Sequence, residues 1–477
     1  MQSTFNLHAP EMIAFVGGGG KTSLMFTLAN ALPGQIVTTT TTRIFAAQMK
    51  LSPAVCFFTA EDTKNTKKNK ENFALSASFA VYSFTELSEA LDRFGQCLVV
   101  GAVGEGKDRE KALGVPLELP GQLLARPDVD FVLVEADGSR MRPIKAPAEH
   151  EPVIPPGTTL VVPVVGIDAV GGRIAEVAHR PELVCSIVGD PYSVIRIPCE
   201  VDDVLTAEMA AALLVHPQGG LKGVPDGARV IPFINKVETA SQFTTARQIA
   251  HHVFRMTHDA SRISQVVIGA IKTEQPIREV HKRVTAVILA AGQSKRMGQT
   301  KQLLPWGETT VLGQVLRNVQ ATAVHHTLVV TGHEAEKVEQ IAAQAGAETV
   351  FNPNYASGEM LSSLQTAVRH LPDNIAAVLV VLADQPMVEA GTIDQLLEAY
   401  WQQKGGLIAP VFQGQRGNPV LIDRAYFAEL LDLPAGAAPR HLLRRHEADL
   451  YFVSMDNDSV LCDLDHPGEY ERWRPTE

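Results

Sequence analysis

Short apolar runs rich in Val, Ile and Leu alternate along this chain with longer stretches whose apolar residues recur at helical spacing. Near-continuous apolar runs of strand length mark parallel strands buried on both faces. In the first part of the chain such strands are predicted at Met12–Val16, Gln35–Thr39, Cys97–Val100, Asp130–Val134, Thr159–Val165, Val230–Ile234 and Gln265–Ile268. A second set is predicted at Val284–Leu289, Thr327–Val330, Ala377–Leu382, Leu407–Val411 and Leu450–Val453. The stretch from Thr273 to Arg283 is polar, contains Pro276 and separates the sets, giving domains at 1–275 and 283–477. The halves show no evident repeat of each other, so they read as a fusion and not a duplication. Strand–helix alternation in both predicts an α/β protein of two parallel-sheet domains covered by helices.

Composition narrows the class. A chain of 477 residues is too long for one ordinary core and fits two or three domains. With 45% apolar and 20% charged residues it reads as soluble and globular. No run is apolar for long enough to span a bilayer, and Met1–Pro10 lacks a basic-then-apolar leader, so a cytoplasmic protein with no membrane partner is expected. Cys56, Cys97, Cys185, Cys199 and Cys462 form no C-x-x-C pair. They read as isolated thiols of a reducing compartment and supply no zinc site. A net charge of −11 argues against nucleic acid as a partner, and Lys64–Lys70 reads as a solvated loop.

The richest chemistry lies in Leu289-Ala-Ala-Gly-Gln-Ser-Lys-Arg-Met-Gly-Gln-Thr-Lys301, directly after a predicted strand. Gly292 and Gly298 allow close backbone approach to a phosphate, and the amides from Leu289, Ala290 and Ala291 through Ser294 can point at its oxygens. Lys295, Arg296 and Lys301 add cations, Arg as a fork and Lys as a mobile point charge. The loop reads as a triphosphate clamp. It is neither a Walker loop nor a dinucleotide fingerprint, because the glycine spacing fits neither.

Acids stand where such a clamp needs them. Ligands of open parallel sheets gather beyond the carboxyl ends of the strands. Asp384, in Ala383-Asp-Gln-Pro386 after the strand Ala377–Leu382, is placed to hold Mg2+ against a triphosphate; a helix cap is the plainer alternative. Asp463 and Asp465 share one face if extended and offer a second acid, or simply a turn before Pro467. Leu361, Leu364, Val368 and Leu371 follow helical spacing as core. Ser362 and Ser363 open that helix, where they either meet a base or ribose or cap the helix. Arg416 and Asn418, in Gln415-Arg-Gly-Asn-Pro419, bind a second substrate or shape a hairpin.

The first half has its own nucleotide chemistry. Gly17-Gly-Gly-Gly-Lys-Thr-Ser23 follows a strand and precedes a helix carrying Met25, Leu28 and Leu32 on one face. Phe15 stands where a full Walker motif needs glycine, but a shortened form fits Gly17, Gly20, Lys21 and Thr22. Lys21 would neutralise phosphates and Thr22 would ligate Mg2+; a flexible hinge is the alternative. Glu135 and Asp137 follow the apolar strand Asp130–Val134, as metal- or water-orienting acids or as a solvated strand end. Asn235-Lys236-Val-Glu238 resembles the guanine-reading N-K-x-D motif with Glu in place of Asp. Together these strand ends predict a purine nucleotide site.

The order of motifs from about Arg283 onward resembles the molybdenum cofactor cytidylyltransferases, which are MobA-like NTP transferases. The matching residues are the Leu289–Lys301 signature, Gly358 with Ser362 and Ser363, Asp384-Gln385-Pro386, Arg416-Gly417-Asn418-Pro419 and Asp463-Leu464-Asp465-His466-Pro467. The resemblance implies a Rossmann-like nucleotidyltransferase domain that moves CMP from CTP onto the phosphate of molybdopterin cofactor, with Mg2+ and release of pyrophosphate. Leu-Ala-Ala-Gly at 289–292 is similar to the cytidine type. Arg296, Lys301 and Asp384 then take the catalytic roles. One departure is Pro434-Ala-Gly-Ala-Ala-Pro-Arg440, where the family often carries Gly-Asp-x-Gly-Ala-Arg. Residues 10–270 resemble the YqeC-type accessory proteins of selenium-dependent molybdenum hydroxylases, through Gly17–Ser23, Thr38–Arg43, Glu135–Arg140, Lys145–Pro147 and His150–Pro155. That implies a P-loop-like domain and a molybdenum hydroxylase apo-enzyme as partner.

Overall fold

The computed structural model describes residues 1–58, 80–81, 84–102, 111–190, 196–257, 262–357 and 359–475. The Lys64–Lys70 run and Gly358 lie outside the described residues. The chain divides into two compact units, Met1–His281 and Lys282–Glu477.

The first unit is built on β1 (Glu11–Gly17), β2 (Ile36–Thr40), β3 (Val55–Phe57), β4 (Ala80–Val81), β5 (Gln96–Val100), β6 (Phe131–Glu135), β7 (Leu160–Gly166), β8 (Phe233–Asn235), β9 (Gln265–Gly269) and β10 (Ile277–Lys282). Their order in the sheet is β10-β9-β8-β7-β1-β6-β2-β5-β3-β4, and from β9 to β4 every pairing is parallel. The central strands are buried along their length, as continuous apolar runs require. The predicted strand Val230–Ile234 is two pieces, Arg229–Val230 and β8, because the intervening Pro232 cannot donate to a ladder. The polar stretch read as a linker holds the edge strand β10. Its Glu279 and His281 are buried because Arg247, on the helix Ala240–Met256, pairs with Glu279 at 2.6 Å while His281 lies 2.8 Å from the same carboxylate.

The second unit contains β11 (Val284–Leu289), β12 (His326–Thr331), β13 (Glu348–Phe351), β14 (Ala377–Leu382), β15 (Leu407–Phe412), β16 (Val420–Asp423) and β17 (Leu450–Ser454). The order runs β13-β12-β11-β14-β16-β15, with β17 parallel to β15. β16 is antiparallel to both its neighbours within an otherwise parallel arrangement. It follows β15 through the short connection from Gln413 to Pro419, which can join antiparallel neighbours but is too short for a parallel crossover. Leu361, Leu364 and Val368, on the helix Glu359–His370, and Leu371 directly after it are buried in one apolar cluster with residues of β11, β12 and β14.

Cys185 and Cys199 are joined in a disulfide, which corrects their reading as isolated thiols; a loop can bring distant cysteines together without any local motif. Among the described residues no helix is long and apolar enough to cross a membrane.

Candidate functional site

In the second unit the loop after β11 and the end of β14 lie side by side, because β11 and β14 pair in parallel register from Val284–Ala377 to Leu289–Leu382. Leu289, Ala290, Ala291, Gly292, Lys301 and Asp384 line one pocket of about 260 Å3, together with Gln302, Tyr355 and Ser363. Gly298 has φ +70, a left-handed conformation that favours glycine. The loop is tied down by Gln302, whose amide donates to the Ala290 carbonyl at 2.9 Å, and by Ser294, whose hydroxyl accepts from the Lys301 amide at 3.1 Å.

Lys301 is the hub. Its ammonium pairs with Asp384 and lies 2.8 Å from Asp465, while Arg296 reaches the other Asp465 oxygen at 3.0 Å. Burial works against the Lys301 charge, but Asp384 and Asp465 together outweigh it and hold its pKa above the usual lysine value. The bond from Lys301 holds Asp465 below the usual carboxylate range despite some burial. Asp463 goes the other way. Burial, then the Asp384 charge, push it up to about 6, although Gln385 donates to it at 2.6 Å.

The expected metal set is only partly assembled. Among the described residues no group of three or more His, Cys, Asp or Glu is arranged to hold a metal ion. Lys301 stands between Asp384 and Asp465, so a cation of the protein already occupies the space between two of the acids. The donor chemistry fits a divalent ion at Asp384 and Asp463, whose mutual repulsion such an ion would relieve. Ser362 and Ser363 both accept from the buried Asn352 amide, at 2.9 and 3.0 Å, and of the two only Ser363 faces the pocket. Arg416 and Asn418 are not among the residues lining that pocket; Arg416 forms a short hairpin strand against β15, and the Asn418 amide donates to Val460.

In the first unit the glycine loop joins β1 to the helix Lys21–Ala31. Gly19 has φ +79 and packs against the Gly166 backbone, where any Cβ would collide. Lys21 is buried. Its ammonium donates to the Gly17 carbonyl at 2.6 Å and lies 3.1 Å from Asp137 and 4.0 Å from Glu135. Asp137 also accepts from the Gly17 amide at 3.1 Å, and Thr22 donates to Glu135 at 2.6 Å. Burial pushes the Glu135 carboxyl up, against the pull of Lys21 and Thr22. Thr22 and Glu135 are thus joined beside Lys21, and among the described residues no group of three or more His, Cys, Asp or Glu is arranged to hold a metal ion there.

Asn235 is used within the protein. Its amide donates to the Gly19 carbonyl at 2.8 Å and its oxygen accepts from Lys236 and Ile271 at 2.8 and 3.1 Å. It fastens the glycine loop to β8, so the base-reading role predicted for it has no spare hydrogen-bonding group of the oxygen behind it. Lys236 pairs with Asp168 at 2.7 Å and lines the cleft with Asn235 and Gly20.

Sequence reasoning missed the role of Lys145. Its side chain is wholly buried, 3.0 Å from Asp137 and 2.8 Å from Glu151, which Arg180 also reaches at 2.7 Å. Against its burial, these two cations hold Glu151 down to about 2. The chain Lys21, Asp137, Lys145, Glu151, Arg180 alternates in sign, as buried charges must if they are to remain ionised. No local periodicity signals such a partner; in the sequence Lys145 and Glu151 stand out only within the segments Lys145–Pro147 and His150–Pro155 that carry the YqeC resemblance.

The family profile described as the YqeC protein matches residues 13–182, and that of the MobA-like NTP transferase domain matches residues 286–450. The uncharacterized protein YqeC of Escherichia coli K12 is 32% identical over 231 residues, 48% of this chain and 76% of that protein. The molybdenum cofactor cytidylyltransferase of the same strain is 28% identical over 188 residues, 39% of this chain and 93% of the relative. The nicotine blue oxidoreductase of Paenarthrobacter nicotinovorans is 28% identical over 192 residues, 38% of this chain and 92% of the relative. The chain belongs to the YqeC family in its first unit and carries a MobA-like NTP transferase domain in its second.

Proposed function

We propose that the second unit transfers CMP from CTP to the phosphate of molybdopterin cofactor, releasing pyrophosphate, and that the first is a nucleotide-binding accessory module for maturation of a molybdenum hydroxylase. The observation that carries the transferase reading is Lys301, which lines the same pocket as Leu289–Gly292 and Asp384 and pairs with both Asp384 and Asp465. The name of the Escherichia coli relative, similar over nearly its whole length, supports the substrate assignment.

Little covalent work is required of the protein. The acceptor phosphate is already ionised at neutral pH and attacks the α-phosphorus of CTP without a general base. The new O–P bond forms as the bond to the pyrophosphate oxygen breaks, so the task is to position two anions and neutralise the leaving group. Lys301 and Arg296 are the cations that meet the triphosphate, and the Leu289–Gly292 amides complete the clamp. Asp384 and Asp463 are the acids that would hold Mg2+, which when bound supplies positive charge to the triphosphate. Asp465 keeps Lys301 and Arg296 oriented until substrate takes them over.

The full chain incubated with Mg2+, molybdopterin cofactor and each nucleoside triphosphate in turn tests this reading. The expected product is the cytosine dinucleotide from CTP. A sugar phosphate accepted as readily as the cofactor would replace the acceptor assignment. No product with any acceptor, while hydroxylase maturation survives Asp384→Asn, would make the protein a carrier of finished cofactor.

A further inference from the structure

The cleft beside the glycine loop of the first unit measures about 1020 Å3, at the upper end of the range for small-molecule sites. Its walls differ. One is the loop Gly19–Ser23; the other brings together Arg140, His150, His179 and Arg180. We propose that this second wall is a separate subsite for the phosphate-type oxyanion of a second small molecule, bound in the same cleft as the nucleotide.

The lysines of the network are already occupied: Lys21 and Lys145 pair with Asp137, and Lys145 shares Glu151 with Arg180. Arg140 is different. Its guanidinium joins no hydrogen bond or ion pair among the described residues, yet it lines the cleft. Arg140 and Met141 both take left-handed conformations, with φ +50 and +64, and Met141 is 85% exposed at the rim. Two successive non-glycine residues in that region are held against their preference, by a turn in which the Arg142 amide donates to Ser139 at 3.0 Å. Such conformations cluster at ligand clamps.

His179 reports the local charge. Its buried Nδ1 has no hydrogen-bond partner, and its pKa is pushed down to about 4 by burial, then by the Arg180, Lys145 and Arg140 charges, which Glu151 does not cancel. The imidazole is therefore neutral at physiological pH and carries one N–H among cations. An oxyanion in the cleft meets the guanidinium fork of Arg140, the geometry that Arg–phosphate pairs use. The proposal rests on the reading that the nucleotide sits on the glycine loop.

Calorimetry on the full chain with inorganic phosphate tests the subsite, in a Lys301→Ala background so that the second unit's clamp does not contribute. Phosphate should bind alone and with the glycine loop saturated by a non-hydrolysable purine nucleoside triphosphate, its affinity changing less than threefold. Arg140→Ala should weaken phosphate at least tenfold, Arg140→Lys should restore part of it, and nucleotide affinity should move less than threefold in both. Unchanged phosphate affinity in Arg140→Ala, with an unchanged melting temperature, would overturn the proposal, as would complete displacement of phosphate by nucleotide. If no nucleotide binds, the glycine-loop reading fails, while the Arg140 variants still decide whether the subsite exists.

Discussion

Replacing Lys301 with alanine removes an ammonium that touches both Asp384 and Asp465. The side chain is 19% exposed, so the site is neither bulk water nor a dry interior. A unit charge about 4 Å from another at the effective dielectric of such a place interacts by about 4 kcal/mol. Only the part that grows as charge moves to the leaving pyrophosphate affects the rate. Removal of one preorganised donor to developing charge typically costs about 3–4 kcal/mol, so cytidylyl transfer should fall roughly a hundred- to thousandfold. The fold should survive. Arg296 still reaches Asp465, and the loss of the two Lys301 pairs is offset in part by the burial cost of the ammonium itself. Pyrophosphate release from CTP in the presence of cofactor measures the first effect, and thermal melting measures the second. A folded variant within a few-fold of the native rate would remove Lys301 from the chemistry and, with it, the reading of the Leu289–Lys301 loop as a clamp.

Asp384→Asn should do comparable damage, and partial recovery at high Mg2+ is expected if metal affinity is the main loss; an undiminished rate at ordinary Mg2+ would exclude a metal role for Asp384. CTP should be preferred to GTP at matched concentrations, from Leu289-Ala-Ala-Gly292, and equal turnover would remove the specificity claim without touching the transferase assignment. Lys21→Ala should abolish purine nucleotide binding by the first unit and leave CTP-dependent transfer largely unchanged; transfer falling in parallel would mean that the halves do not work separately. Glu279 is held down to about 2, against its burial, by His281 and Arg247. Its folded pKa is depressed, so its stabilisation is present above about pH 4.5 and lost as pH falls toward 2, on the order of 3 kcal/mol. Unfolding followed from pH 5 to 2 should show a steeper loss in the native chain than in Glu279→Gln, and equal slopes would contradict the assignment.

The sheet centres and both glycine loops were legible because each is a local signal: an apolar run of strand length, a glycine turn and a cation within a few residues. Asp384 was legible for the same reason, as the first acid after β14. What escaped depends on partners far along the chain. Glu279 and His281 made β10 look like a linker, since nothing nearby announces Arg247 as the group that allows them to be buried. Lys145 and Glu151 appear in sequence only within family-matching segments, and their role emerges only when Asp137 and Arg180 meet them. Asn235 was legible as a conspicuous residue but not in what it bonds, because the motif that singled it out says nothing of the Gly19 carbonyl. The Cys185–Cys199 bond was hidden because spacing excludes only local motifs.

The central claim is that the second unit moves a nucleotidyl group, and the fate of the phosphorus atoms of CTP tests it most directly. The full chain, Mg2+ and molybdopterin cofactor are incubated with CTP labelled at either the α or the γ position, and products are separated. The account predicts α-label in a cytosine dinucleotide and γ-label wholly in pyrophosphate, with both signals lost in Lys301→Ala. Label from the γ position on the cofactor, or α-label confined to free CMP, would contradict it.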